Sequence, residues 1–246
     1  MSRNMLPTAS VLGLVTVLGG GIGIGGAAFA GGDAPKFYSV EAFSVTYEHS
    51  GAETGQTVQH SRAWGRERVE VKDTSMSMFG VNQTTDQRVI YLDDQIISID
   101  GATGRTTKTT NPLYADIVAS MEGKSGMEAG AAWMTGLGGE KTGESKSLLG
   151  ETCSVWSIPK MFATQCITDA GIPLEISVAM PGMGMTMVQT AIELSLGEPG
   201  PDAAYEYDEA AVQSSPAPGV PAGMPEGFTM PDLPEGVTIP GFPAGQ

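Results

Sequence analysis

The chain is poor in the residue types that carry catalytic and metal chemistry. It has two cysteines and two histidines in 246 residues. Cys153 and Cys166 are not spaced as C-x-x-C, and no histidine follows them to complete a zinc set. Basic residues are scarce, with 13 Lys and Arg against 28 Asp and Glu and a net charge of −15. Such a balance excludes nucleic acid and anionic membrane surfaces, both of which need Lys or Arg to displace counterions. There is no Gly-x-Ser-x-Gly, no His-Glu-x-x-His and no P-loop. A Ser–His–Asp arrangement would have to use His49 or His60, both on a predicted hairpin. No catalytic residue, resident metal or cofactor is therefore assigned, and no enzyme is expected. Beyond residue 30 no apolar run approaches the roughly 18 residues of a membrane span.

What is present begins with residues 1–30. Arg3 precedes an apolar stretch over residues 11–24, and Ala28, Phe29 and Ala30 supply a small-x-small cleavage pattern. This predicts a cleaved secretory signal, hence a periplasmic or secreted protein. No cysteine lies near the cleavage site, so no lipobox is present. Gly21, Gly23 and Gly26 match the dinucleotide fingerprint literally, but no strand precedes them and the segment is removable. In an oxidising compartment the isolated pair Cys153 and Cys166 predicts a disulfide. A loop of that order gains roughly 3 kcal/mol in the chain-entropy model.

Composition then divides the mature chain. Lys160 is the last basic residue, and beyond about Gly197 Pro, Gly, Ala and acids dominate. The expected division is a signal over 1–30, a folded domain over 31–197 and a disordered acidic tail over 198–246. A nine-residue repeat lies in the tail: Met224-Pro-Glu-Gly-Phe-Thr-Met-Pro-Asp, then Leu233-Pro-Glu-Gly-Val-Thr-Ile-Pro-Gly, then Phe242-Pro-Ala-Gly. Prolines so frequent favour extended polyproline-like chain. The tail reads as solvated chain or, over 221–246, as a docking segment for an envelope protein partner.

The folded part reads as short strands around a helical insert. Residues 42–49 alternate, with Phe43, Val45 and Tyr47 on one face, and residues 51–55 are turn-like. Strands are expected over 57–64, 66–72, 87–92, 95–100 and 105–110, with Asp93 and Asp94 turning a hairpin. Between Pro112 and Met121 the period changes: Leu113, Ile117, Val118 and Met121 recur at helical spacing. A second helix is expected over 127–134. Strands resume over 146–149, 152–158, 162–168, 174–180 and 185–194. Strands around segregated helices predict an α+β fold with an antiparallel sheet.

Leu149-Gly-Glu-Thr-Cys153-Ser-Val-Trp156, Thr164-Gln-Cys166-Ile-Thr168 and Gly171-Ile-Pro-Leu174 form a pattern of short motifs. With the hairpin over 90–100, it resembles secreted bacterial domains of unknown function related to the LolA–LolB–LppX half-barrel. The resemblance implies a strongly curved antiparallel sheet with one or two helices in its concave face. It also implies a hollow that holds a lipid or other apolar ligand, without a universal catalytic set. Met183, Met185, Met187, Trp64, Tyr91 and Trp133 are the expected lining.

Three constellations have rival readings. Met180, Met183, Met185 and Met187 have M-x-x-M and M-x-M spacing, which suits packing or a lipid groove and also suits Cu(I). His49 and His60 would face each other if the first hairpin turned at Thr54 and Gly55. Arg62, Arg66 and Arg68, interleaved with Glu67 and Glu70, read as a solvated charge-paired face or as a head-group contact.

Overall fold

A computed structural model describes residues 35–78, 81–112, 114–121, 123, 124, 126–180, 182 and 184–213. The signal region, Met183 and the nonapeptide repeats lie outside the described residues. Strands β1 (Phe43–Gly51), β2 (Glu53–Arg62), β3 (Glu67–Met78), β4 (Val81–Leu92), β5 (Gln95–Asp100) and β6 (Thr106–Thr110) come first. Helices α1 (Tyr114–Met121) and α2 (Gly126–Gly136) follow. Then come β7 (Glu140–Leu148), β8 (Glu151–Ile158), β9 (Ala163–Thr168), β10 (Pro173–Met180), β11 (Met185–Leu196) and the short β12 (Val212–Gln213).

These strands join one open sheet in the order β12-β6-β5-β4-β3-β2-β1-β11-β10-β9-β8-β7. Two antiparallel meanders therefore meet where β1 pairs with β11. Among the described residues only β12 is parallel to its neighbour, β6. The chain leaves the first meander at β6 and enters the second at β7, on opposite sides of the sheet. The connection must cross one face, and both helices lie in it. Tyr114, Ile117 and Met121 of α1 pack with Phe43, Val45, Tyr47 and Leu174. Met134 of α2 packs with Ile158, Ala163, Ile176, Val178 and Met187. This is the half-barrel α+β architecture that the sequence predicts, with two helices on the inner face.

Cys153 and Cys166 form the expected disulfide, with Cα atoms 5.2 Å apart. It staples β8 to β9, where Cys153 opposes Thr168 and Cys166 opposes Val155.

The first hairpin turns earlier than the sequence suggests. Gly51 sits at φ +93°, and a Cβ there would strike the Thr186 carbonyl. The tight turn carries Ala52, whose N–H donates to Thr186 O at 2.9 Å and whose O accepts from Ser77 N at 3.1 Å. In this register His49 opposes Gly55 and His60 opposes Ser44, so the two rings lie on opposite faces of the sheet. The cross-strand histidine pair does not form.

The folded domain also extends past the predicted boundary at residue 197. Residues 198–213 run as a strap over the outer face of the sheet. Val69, Ile90 and Ile97 present an apolar strip there, and Tyr205 buries against it with Ala204 and Tyr207 alongside. Arg62 lies 3.9 Å over the Tyr205 ring and donates to Asp202 at 2.8 Å. Arg88 donates to Ala203 O at 3.3 Å, and Lys108 to Glu209 at 3.0 Å. Gly200 is pressed against the His60 ring, where a side chain would collide. The acids of this segment meet bases of the sheet, which is why an acidic, proline-flanked stretch folds here.

Candidate functional site

The inner face has two chemically distinct halves. Side chains alternate along each strand, so the ladder register assigns them to faces. On β1, β11 and β10 the buried inner positions are Phe43, Val45, Tyr47, His49, Ala191, Met187, Leu174, Ile176 and Val178, apolar save for the Tyr47 phenol and the His49 ring at the β1 end. On β2 and β3 the corresponding positions are Ser61, Gln59, Thr57, Arg68, Glu70, Lys72 and Thr74. All but Lys72 are buried, and Arg68 is 1% exposed. Buried charge on this scale is costly and carries little stability.

At one end of the polar half, Glu53 accepts from His49 Nδ1 at 3.1 Å, Thr74 at 2.8 Å and Lys72 Nζ at 2.7 Å. His49 Nε2 meets Thr57 at 2.8 Å. Burial pushes the Glu53 carboxyl up, but the bonds from His49, Lys72 and Thr74 outweigh it and hold its pKa at about 2. A depressed carboxyl contributes stability that is fully present above its unfolded pKa and is lost as pH falls through the folded one. Glu53 should thus contribute about 3 kcal/mol at neutral pH, lost between about pH 4.5 and pH 2. In Glu53→Gln, urea unfolding should show a lower midpoint at pH 7 and a flatter stability profile below pH 4.5. An unchanged acid limb would refute this assignment.

At the other end, Arg68 Nε lies 3.2 Å from Glu70 Oε1, and the guanidinium stacks 4.0 Å over Tyr91. Burial raises the Glu70 carboxyl, with Arg68 opposing. Burial also raises the Tyr47 and Tyr91 phenols. Gln59 Nε2 donates to Tyr38 OH at 3.5 Å, and Tyr38 packs edge-on against Phe43. The predicted basic cluster is therefore divided. Arg62 and Arg66 are half-buried and paired with Glu67 and Asp93. Arg68 and Glu70 point inward instead of forming a solvated face, because even-numbered positions of β3 lie on the inner face.

The predicted lining residues separate in the same way. Tyr91 and Met187 are buried on the inner face, and Met185 is half-buried two residues before Met187 on β11. Trp64 is not on the inner face of a strand. It sits in the β2–β3 turn at φ +56°, with Lys36 Nζ 4.8 Å over its ring. Trp133 belongs to α2 and Met180 pairs with Met185 by register, but their side chains lie outside the described residues. The apolar half draws methionines from other elements too, with Met76 and Met161 packed beside Met134 and Met187. Next to Met161, Phe162 is 60% exposed at φ +51°, a conformation that bulky residues rarely adopt. It stands exposed at the turn between β8 and β9. Among the described residues no group of three His, Cys, Asp or Glu is arranged to hold a metal. Among them, too, no helix is long and apolar enough to cross a membrane.

Comparison by sequence finds no matching family model and no matching curated protein. Among solved structures, the chain is similar to an uncharacterized conserved protein from Thermus thermophilus. The identity is 9% over 72% of this chain and 91% of the other, with a TM-score of 0.45. It is also similar to the Pseudomonas aeruginosa MucA/MucB complex, at 12% identity over 76% of this chain and 62% of the other, with a TM-score of 0.38. A DUF1329 family protein from Desulfovibrio piger matches at 12% identity over 71% of this chain and 92% of the other, with a TM-score of 0.31.

Proposed function

We propose that the protein is an exported, non-enzymatic binding domain that holds an acyl lipid or similar apolar molecule between the sheet and its two helices. One observation carries this reading. The face under the helices is lined by adaptable methionine and aliphatic side chains on one half and by retained, buried polar groups on the other. A face serving only as a core would gain from apolar residues throughout. The exposed Phe162, next to Met161, supports an entrance at the methionine end. Residues 221–246 would engage an envelope protein partner; β12, the last described strand, lies at the edge of the sheet.

The test is titration of delipidated protein with N-phenyl-1-naphthylamine, an uncharged apolar fluorophore, together with solvent extraction and mass spectrometry of protein purified from its own compartment. Saturable 1:1 enhancement and a co-purified acyl compound are expected. Met185→Leu/Met187→Leu keeps volume and apolarity and should cost less than about 1.5 kcal/mol per site with probe binding intact. A stoichiometric Cu(I) site in the wild type that is lost in this variant would establish copper handling instead. Absence of both lipid and probe binding would refute the reading.

A further inference from the structure

We infer that the Arg68–Glu70 end of the inner face reads the polar group of the bound acyl compound, and that this group is an uncharged hydroxyl rather than a carboxylate or phosphate. This rests on the acyl-binding reading above. Two observations carry it. The first is an orphaned hydroxyl. Ser61 Oγ is wholly buried and has no hydrogen-bond partner among the described residues. Buried polar groups are normally satisfied, so one that is not needs a reason to be there. Ser61 opposes Arg68 across the β2–β3 ladder and Phe43 across β1–β2, which puts it at the seam between the polar and apolar halves.

The second is charge balance. On the inner strip Arg68 is matched by Glu70 and Lys72 by Glu53. A ligand bringing a full charge to this strip would leave one charge buried without a counterion, which costs more than the contacts return. An uncharged group can both donate and accept beside Ser61 Oγ, Glu70 and the Tyr91 phenol without disturbing the balance. A glyceride hydroxyl has this donor–acceptor character, whereas a simple ester only accepts.

The experiment compares three ligands of one chain length: monoolein, methyl oleate and oleate. Each displaces N-phenyl-1-naphthylamine from the full chain, from Ser61→Ala and from Glu70→Gln. The wild type should hold monoolein about tenfold more tightly than methyl oleate and more tightly again than oleate. Ser61→Ala removes an unsatisfied hydroxyl, so it should fold at least as well while losing the monoolein advantage. Glu70→Gln, where folded, should bring oleate level with monoolein. Equal displacement by all three ligands in the wild type, or an unchanged ranking in Ser61→Ala, overturns the inference and leaves the apolar hollow standing. No displacement by any ligand from any variant overturns both.

Discussion

Arg68→Met should lower unfolding stability by about 3–5 kcal/mol, and Arg68→Met/Glu70→Leu should recover most of that loss. The single change leaves the Glu70 carboxylate buried on the inner face without the guanidinium 3.2 Å away. It also removes the cation stacked over Tyr91. The double change replaces two desolvated charges with apolar groups of similar volume, flanked by Tyr47 and Val89, which are already buried. Burial pushes the Glu70 carboxyl up, so in Arg68→Met the penalty should shrink as pH falls and Glu70 takes a proton. Urea unfolding of wild type, single and double variants at pH 7 and pH 5 checks both parts. A single variant as stable as wild type would mean that the pair is solvated. A double variant as unstable as the single would mean that the pair fastens the sheet.

That pair also marks how far sequence reading reaches. The strands over 95–100, the α1 stripe of Ile117 and Met121 and the partnership of Cys153 with Cys166 were all legible. Each depends on local period or on a count of two. What escaped was which face of β3 turns inward. Val69 and Val71 look like the core face of an alternating strand, yet Arg68 and Glu70 are the ones buried on the inner face, beside Tyr91. Alternation fixes only that the two sets lie on opposite faces. Choosing between them needs the register of β3 with β2, closed by the turn over Ala63–Gly65, and that of β2 with β1, closed by the turn at Gly51. The same shift separated His49 from His60. Trp64 was misplaced for a related reason: its backbone turns the chain between β2 and β3 instead of continuing a strand.

Truncation after Gly197 should cost about 5 kcal/mol or more and lower Tm by about 10 °C or more, whereas truncation after Gln213 should leave Tm nearly unchanged. The expected difference arises because residues 198–213 cover an outer face that is itself apolar. Tyr205 is buried against Val69, Ile90 and Ile97, and its hydroxyl donates to Pro199 O at 2.8 Å. Loss of one large buried aromatic costs about 3–5 kcal/mol. The contacts of Arg62, Arg88 and Lys108 with the strap would go with it, and each is worth little on the half-exposed surface. Composition hid this segment, since Pro, Gly and acids dominate it. The legible clue lay elsewhere. Ile90 and Leu92, with Ile97 and Ile99, put apolar side chains on the face opposite Tyr91, so an alternating sheet with one covered face could not account for them. Something else had to cover them, and Tyr205 does so with Tyr207 alongside. Tyr205→Ala in the full chain separates this packing from chain length. It should reproduce most of the Gly197 truncation, and a Tyr205→Ala protein as stable as wild type would show that the strap merely lies against the sheet.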